Sequence, residues 1–270
     1  MANDGLRFDF GNGVEELIPV IQEGVGPVNE SQPHYIIVLV ADKSLSMITV
    51  DPETGEKRIQ LVNKGLNSLI STDKLTEFYK NNVDVAVVSF NDKLYIEQDF
   101  TPMSIAEPNF ELDASGTTCL YQALIVACEM ARKRKNELSK SGIPTFRPLV
   151  LGYTDGKPEG DDFEEECRAV LKDRVDSEKT DLIIVGFDQC DMALMDSLCE
   201  KVQLIKLSGA DGIEQVFDML SDTLVKASQS DVNDAIHVAL DKFDKMGVQV
   251  IDGKRQIKLN ETNTNDYNLN

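Results

Sequence analysis

Five short apolar segments along the chain have the pattern of strands that are buried on both faces. Their apolar residues run on without polar alternation, which is typical of strands in a parallel sheet covered by helices on both sides. The segments are residues 35–41, 83–90, 148–153, 181–187 and 202–207. A sixth segment, 94–98, follows the second one after Asn91-Asp92-Lys93, a tight hairpin signal, and we therefore expect it to be antiparallel.

Between these segments, apolar residues recur at the three- and four-residue spacing of amphipathic helices. The helical patterns cover residues 59–70, 120–131, 163–171, 192–198 and 213–225. Alternating strands and helices favour right-handed crossovers. The sequence therefore predicts a doubly wound α/β fold, with a mostly parallel six-stranded sheet, one antiparallel edge strand and helices on both faces.

The remaining residues form extensions on either side of this domain. We divide the chain into a loosely ordered N-terminal extension, the α/β domain, a C-terminal helix and hairpin, and a disordered tail, at residues 1–33, 34–227, 228–259 and 260–270. The C-terminal helix is expected over residues 231–246, and the hairpin is expected to turn at Asp252-Gly253. The Asn-rich tail has almost nothing to bury, which is the reason to expect disorder there.

Charge and cysteine content narrow the classes of function. The chain has 27 Lys and Arg against 47 Asp and Glu, a formal net charge of −20, which argues against nucleic acid or an anionic membrane as partner.

The N-terminus lacks the pattern of a secretion signal, and the longest apolar run, 35–41, is too short to span a bilayer. Five scattered cysteines without CxxC spacing indicate buried thiols in a reducing compartment, so we expect a cytoplasmic protein. The basic run at 132–135 is interpreted as solvated residues near the end of a helix.

Carboxylate and hydroxyl side chains follow the ends of the predicted parallel strands or open the helix between them. In chain order they are Asp42, Ser44, Ser46, Thr117, Thr118 and Asp155. Because ligands of such sheets bind at the carboxyl ends of the strands, we expect these groups to meet at one edge. Hard oxygen ligands without His or Cys favour Mg²⁺, Ca²⁺ or Mn²⁺ over Zn²⁺. The set does not fill six octahedral positions, so a partner carboxylate can complete the shell, which predicts a metal-bridged adhesion site.

Each of these residues also has a purely structural interpretation. A turn after a strand explains Asp42, Ser44 and Ser46, and a turn at Asp-Gly explains Asp155. A helix N-cap explains Thr118. The occurrence of all the motifs in order, each at a strand or helix end, favours the metal site.

Three motifs resemble the metal-ion-dependent adhesion site of von Willebrand factor A (vWA) domains. They are the Asp-x-Ser-x-Ser run that begins at Asp42, the Gly-Thr-Thr segment that begins at Gly116, and the Thr-Asp-Gly that begins at Thr154. The resemblance spans roughly residues 34–227. The stretches at 100–103, 141–144 and 147–148 are more similar still to the bacterial TerY/YegL branch, which is cytoplasmic and associated with tellurium resistance and chemical stress.

The resemblance implies a ligand set and a partner. The implied ligands of Mg²⁺ (or Mn²⁺ or Ca²⁺) are Asp42, Ser44, Ser46, Thr118 and Asp155, with Thr118 preferred to Thr117 because it takes the position of the family's threonine. The partner would be a protein that supplies a carboxylate to the metal. TerY-like proteins tend to be encoded beside a metal-dependent protein phosphatase and a protein kinase, so the resemblance also implies a stress-response complex with such enzymes.

Two positions depart from the family pattern, and a loop is added. Lys43 and Leu45 replace the family's usual Thr and Gly, and alternation directs Lys43 away from the metal. Residues 48–57 are expected to form a longer loop beside the site, as part of a rim that contacts the partner.

Two classes of function follow from these residues. The first is a non-catalytic module that recognises a protein carboxylate through a divalent metal. The alternative is a Mg²⁺-dependent phosphatase or hydrolase of the haloacid-dehalogenase type, with Asp42 as nucleophile. That chemistry needs a second carboxylate two residues later, where this chain has Ser44, and no phosphate-binding glycine motif is present. The sequence therefore predicts binding without catalysis.

Overall fold

The structure, a computed structural model, describes most of the chain between residues 32 and 223 and four short segments outside that range. The described residues are 6–9, 15–18, 32–52, 54–187, 190–207, 216–223, 249–252 and 255–256. The helix predicted over 231–246 and the tail at 260–270 lie outside them.

Two short antiparallel strands precede the main sheet. They are β1 (Leu6–Asp9) and β2 (Glu15–Ile18), and Leu6 pairs with Ile18 at one end of their register. The expectation of a loosely ordered lead-in is wrong for these residues. The sequence between the strands contains Asn12-Gly13, a dipeptide that favours a tight hairpin turn. The many glycines around it favour an irregular chain, so the two sequence signals oppose each other.

The main sheet contains the six predicted strands. In chain order they are β3 (Tyr35–Asp42), β4 (Val83–Phe90), β5 (Leu94–Pro102), β6 (Leu149–Thr154), β7 (Asp181–Gly186) and β8 (Gln203–Lys206). They lie side by side in the order β8-β7-β6-β3-β4-β5, and only the pairing of β5 with β4 is antiparallel. The predicted fold class is confirmed.

Two further strands extend this sheet beyond β8. β9 (Gln249–Asp252) pairs antiparallel with β8, and β10 (Arg255–Gln256) pairs antiparallel with β9, so the sheet has eight strands among the described residues. Both lie next to Asp252-Gly253, where a turn was predicted. The C-terminal part of the chain therefore joins the sheet through backbone pairing.

Helices cover both faces of the sheet. They are α1 (Arg58–Ile70), α2 (Glu77–Lys80), α3 (Leu120–Lys140), α4 (Glu164–Leu171), which continues as a π-helical turn, and α5 (Met192–Asp196). Residues 216–223 are also helical. Among the described residues, no helix combines the length and the apolar character that a membrane span requires.

Alternate residues of β3 enter two separate apolar clusters. Leu39 packs in the cluster on the face of α1, whereas Val38 and Val40 pack in the cluster on the face of α3 and α4. Because both faces are buried, the strand needs apolar residues at every position, which is why its sequence lacks alternation. Helix α3 begins beside the end of β4, where the Cys119 N–H donates to Asn91 O, and Arg134 later in the helix reaches Asp84 near the start of β4, so the helix runs from the carboxyl edge of the sheet toward the amino edge.

A buried polar cluster lies at the amino-terminal end of the sheet. Asp84, the second residue of β4, is fully buried. Its Oδ2 lies 3.1 Å from Arg134 Nε and 3.4 Å from His34 Nδ1. Arg134 belongs to α3, and its side chain is only 4% exposed. The interpretation of residues 132–135 as solvated is therefore wrong for Arg134, because a buried carboxylate 50 residues away in the sequence holds it inside.

Candidate metal site

The carboxylate of Asp42 lies at the end of β3 and is fully buried. Its Oδ1 accepts the backbone N–H of Ser44 at 2.8 Å, and its Oδ2 accepts the hydroxyl of Thr154 at 2.6 Å. Thr154 is the last residue of β6, the neighbour of β3. The two strand ends thus hold both carboxylate oxygens in fixed positions.

Burial changes the acidity of this carboxylate. Removal from water raises the pKa of Asp42 to about 6, against the opposing effect of its hydrogen bonds from Ser44 and Thr154. At neutral pH the group is still mostly ionised. Asp42 therefore offers a buried negative charge, which its hydrogen bonds stabilise and which a nearby cation would stabilise further.

A continuous run of hydrogen bonds links Asp42 to Asp155, the second predicted carboxylate. The hydroxyl oxygens of Ser44 and Ser46 lie 3.0 Å apart, and the Ser46 hydroxyl donates to Asp155 Oδ1 at 2.5 Å. Ser44 and Asp155 are buried, whereas Ser46 is exposed. The structure therefore brings four of the five predicted ligands into one contiguous group with a face open to solvent.

Thr118 reaches the same place from a loop that packs on the end of β3. Thr118 Oγ1 and Ser46 Oγ lie 3.6 Å and 3.7 Å from the point that a Cβ on Gly156 would occupy. The two hydroxyl groups therefore flank Gly156, at the distance of an ordinary van der Waals contact from a Cβ at this position. All five predicted residues meet at the carboxyl edge of the sheet.

Backbone contacts fix the loop that carries Thr118. The Leu45 N–H donates to Gly116 O at 3.0 Å, and the Ser115 N–H donates to Lys43 O at 2.8 Å. Gly116 has a φ of +75°, a left-handed conformation that glycine adopts without strain. The glycine of the Gly-Thr-Thr motif thus allows the loop to lie directly against residues 43–45.

The interpretation of Thr118 as a helix N-cap is wrong. Helix α3 begins at Leu120, its N-cap is Cys119, and the side chain of Cys119 caps nothing. The N–H groups of Tyr121 and Gln122 donate instead to Asp161 Oδ2, at 2.7 Å and 3.3 Å. Asp161, an acid that precedes α4 in the sequence, performs the capping role for α3.

Lys43 is turned toward the edge strand β5, as alternation predicted. Its Nζ lies 3.0 Å from Glu97 Oε1 and 3.5 Å from the centre of the Tyr95 ring. Ser89 also donates to Glu97 Oε1, at 2.5 Å. The departure of Lys43 from the family pattern is thus accommodated by an ion pair away from Asp42.

Arg58 is the residue of the site that the sequence reasoning missed. It is the first residue of α1, its side chain is 8% exposed, and its Nη1 lies 2.7 Å from Asp155 Oδ2. Its guanidinium carbon lies 5.4 Å from the centre of the Phe187 ring. The sequence contained one signal for this residue. A cation at the start of a helix is unfavourable beside the positive end of the helix dipole, so an arginine there indicates an interaction outside the helix.

Exposed apolar side chains lie next to these residues, in the segment between Ser44 and α1. Leu45, Ile48 and Val50 are 56%, 45% and 53% exposed. Val50 forms an isolated bridge with Lys57, so the loop folds back on itself. The position of this loop beside the site agrees with the expectation for residues 48–57.

The donor chemistry fits a hard divalent cation. The site supplies carboxylate and hydroxyl oxygens, which Mg²⁺, Mn²⁺ and Ca²⁺ accept as ligands. Among the described residues, no group of three or more His, Cys, Asp or Glu side chains could hold a metal ion. All five cysteines are buried free thiols. A cation at this edge would therefore depend on hydroxyl ligands beside Asp42 and Asp155.

Comparisons with known proteins agree with the architecture. Residues 37–146 match the family model described as von Willebrand factor type A domain. The solved structure of the pilus adhesin SpaC from Lactobacillus rhamnosus GG is similar, with a TM-score of 0.54 and 14% identity over 76% of this chain and 32% of that one. The PilB minor pilin from Streptococcus sanguinis has a TM-score of 0.50 and 13% identity over 73% of this chain and 62% of that one.

These similarities concern the fold. This chain spans less than two thirds of the length of either solved structure, and no curated protein sequence matches it significantly. The matched family model covers β3, β4, β5 and α3, which carry or flank Asp42, Ser44, Ser46 and Thr118. Together, the family model and the shared fold support a von Willebrand factor type A domain in this chain.

Proposed function

We propose that this chain is a non-catalytic interaction module that binds a divalent cation and, through it, a carboxylate of a protein partner. The ligands are Asp42, Ser44, Ser46, Thr118 and Asp155, and Mg²⁺ is the cation, with Mn²⁺ or Ca²⁺ as alternatives. The observation that carries this proposal is the convergence of two buried carboxylates and three hydroxyl groups at the carboxyl edge of the sheet.

The charge of the site explains why an anionic partner group suits it. Two carboxylates balance a divalent cation, and hydroxyl ligands add no charge. A bound cation supplies a Lewis-acidic position that an external carboxylate oxygen can occupy. The exposed side chain of Ser46 lies on the side where a partner would approach. The apolar residues Leu45, Ile48 and Val50 would add contact area around that point.

The biological setting rests on the sequence resemblance alone. The short stretches at 100–103, 141–144 and 147–148 are similar to the TerY/YegL branch of vWA proteins. We therefore propose a cytoplasmic role in a bacterial stress or tellurium-resistance complex that includes a protein kinase and a metal-dependent protein phosphatase.

We propose that the site has no catalytic activity. The position two residues after Asp42 is occupied by Ser44, whose hydroxyl contacts Ser46, so no acid is placed there to protonate a leaving group. A phosphatase assay with p-nitrophenyl phosphate and Mg²⁺ is expected to show no turnover. Turnover that Asp42→Asn abolishes would establish the hydrolase alternative instead.

Metal binding is tested by thermal unfolding and titration calorimetry of the full chain. A cation present at a hundredfold excess over its Kd should stabilise the fold by about 2.7 kcal/mol. Asp42→Asn is expected to remove the stabilisation. Asp162→Asn, which changes an exposed carboxylate outside the site, is the matched control and should respond as the wild type does. Equal responses of all three proteins would contradict the proposed site.

Partner recognition is tested by affinity capture from the source cells with Mg²⁺ or with EDTA. A partner bridged by the metal should be retained with Mg²⁺, lost with EDTA and lost with Asp42→Ala. Retention under all three conditions would refute recognition through the metal. Identification of a kinase or a phosphatase among the retained proteins would test the proposed complex.

A further inference from the structure

We propose that Arg58 is an internal counter-cation of the site, which occupies Asp155 in the metal-free protein and lowers the affinity for a divalent cation. This inference rests on the proposed function, because it concerns how strongly the same site takes its metal. It adds a residue and a role that the three sequence motifs do not contain.

The loop before α1 delivers Arg58 to the site. Thr49 donates from its hydroxyl to Ser46 O at 2.7 Å, and the Arg58 N–H donates to Thr49 O at 3.0 Å. The backbone of Arg58 is therefore connected to Ser46 through one intervening residue. The bridge between Val50 and Lys57 closes the loop, so the extra residues serve to bring the start of α1 against the carboxyl edge.

The guanidinium group of Arg58 is held on two sides. Its Nη1 donates to Asp155 Oδ2 at 2.7 Å, with both side chains buried, and its guanidinium carbon lies 5.4 Å from the centre of the Phe187 ring. A charged hydrogen bond at this distance between two buried groups is strong and directional. Arg58 is thus in a fixed position, which a flexible surface cation would not be.

The contacts of Asp155 show what a metal has to compete with. Oδ2 accepts from Arg58 and Oδ1 accepts from the Ser46 hydroxyl, so both oxygens are engaged. A cation that uses Asp155, directly or through water, must share an oxygen with one of these donors.

Electrostatics add to this competition. Asp42 and Asp155 contribute two negative charges, and Arg58 offsets one of them. A divalent cation therefore enters a site of net charge −1 instead of −2, and it is repelled by a fixed guanidinium in a partly dehydrated environment. Both effects weaken metal binding. Loss of Arg58 would leave Asp155 as a buried charge without this cation when no metal is present, which would destabilise the metal-free fold.

The experiment measures Mn²⁺ and Mg²⁺ affinity of the full chain by titration calorimetry and by Mn²⁺ electron paramagnetic resonance. Arg58→Gln is expected to bind either cation about tenfold more tightly than the wild type, or more. Arg147→Gln removes a partly exposed arginine that pairs with Asp181 outside the site, and it should leave the affinity unchanged. In thermal unfolding, Arg58→Gln should be less stable than the wild type without metal and gain more from Mn²⁺.

A second pair of variants covers the case in which Arg58→Gln does not fold. Asp155→Asn alone leaves the guanidinium in the site, whereas the double variant Arg58→Gln/Asp155→Asn removes both charges of the pair. The double variant should bind Mn²⁺ more tightly than Asp155→Asn, because only the single variant retains the repelling cation.

Each outcome separates the two proposals. Equal or weaker Mn²⁺ binding by the variants without Arg58, with measurable binding by the wild type, would overturn the role of Arg58 and leave the metal site intact. No binding by the wild type or by any variant would overturn the metal site and the role of Arg58 together.

Discussion

Two buried carboxylates, one at each end of the sheet, are paired with a buried arginine from a helix. At the amino-terminal end Asp84 pairs with Arg134, and at the carboxyl end Asp155 pairs with Arg58. Both carboxylates have side chains that are 0% exposed, and both arginine side chains are at most 8% exposed. The two ion pairs are therefore closely similar in chemistry and in burial.

The surroundings of the two pairs differ. Asp84 Oδ2 has Arg134 and His34 as neighbours, and α3 covers the cluster. Asp155 has a hydroxyl from the exposed residue Ser46 on its other oxygen. A buried ion pair thus closes one end of this sheet, whereas the same kind of pair at the other end borders an opening where another cation could take the place of the arginine.

The largest expected effect is on the closed end. Asp84→Ala leaves the Arg134 guanidinium buried without this carboxylate, which is expected to lower the free energy of unfolding by about 3–5 kcal/mol. Urea denaturation measures the loss. Mg²⁺ should stabilise Asp84→Ala only as much as it stabilises the wild type, since the cluster lies at the opposite end from the candidate metal site. A loss below about 1 kcal/mol, or a larger gain from Mg²⁺ than the wild type shows, would contradict this expectation.

The next effect concerns Asp42, a carboxylate that shares the open end with Asp155 but is stabilised by neutral donors. Its pKa is raised from 3.8 to about 6 in the folded protein, so between these values the native state binds more protons than the unfolded state. The free energy of unfolding contributed by this group therefore falls as pH rises through that window. At neutral pH the cost of burying the charge is at most about 3 kcal/mol.

Asp42→Asn removes this charge and should make the metal-free protein more stable at neutral pH, by up to about 3 kcal/mol. The gain should shrink toward pH 4, where the wild-type carboxyl group is itself protonated. Urea denaturation of both proteins across this pH range, in the presence of EDTA, measures it. A variant that is less stable than the wild type at neutral pH would show that the hydrogen bonds to Asp42 outweigh its desolvation.

The smallest effect is expected for the ion pair of Lys43 with Glu97, which lies at the open end but outside the site. Its side chains are 13% and 27% exposed, so the solvent screens the interaction more than it screens the buried pairs. Glu97→Gln should change the free energy of unfolding by less than about 1 kcal/mol. It should also leave the Mn²⁺ affinity close to that of the wild type. A clear fall in affinity would mean that Glu97 is what keeps Lys43 away from the metal.

The fold was predictable because its determinants are local in sequence. Continuous apolar runs identified the strands, and the predicted bounds 83–90 agree with β4. The convergence of Asp42 and Asp155 was also predictable, since the carboxyl ends of parallel strands share one edge. The periodic pattern of the sequence contains enough information for both.

The polar contacts across the fold were not predictable in this way. Arg58 and Asp155 are 97 residues apart, and the pairing of Asp161 with the start of α3 spans 40 residues. Nothing in the spacing of apolar residues specifies such partners, because they depend on how a loop and a helix end are placed in three dimensions. Arg134 was misjudged for the same reason, as its neighbours in sequence are basic and partly exposed.

The pairing of β9 with β8 also prevents another molecule of the same protein from pairing with the edge of β8. Without β9, the backbone N–H and C=O groups along one side of β8 would be unpaired, in a strand whose Leu204 and Ile205 are buried. Such an edge is a template for strand addition between molecules. A chain shortened before residue 249 would therefore be prone to aggregate, although every residue of the candidate metal site would still be present.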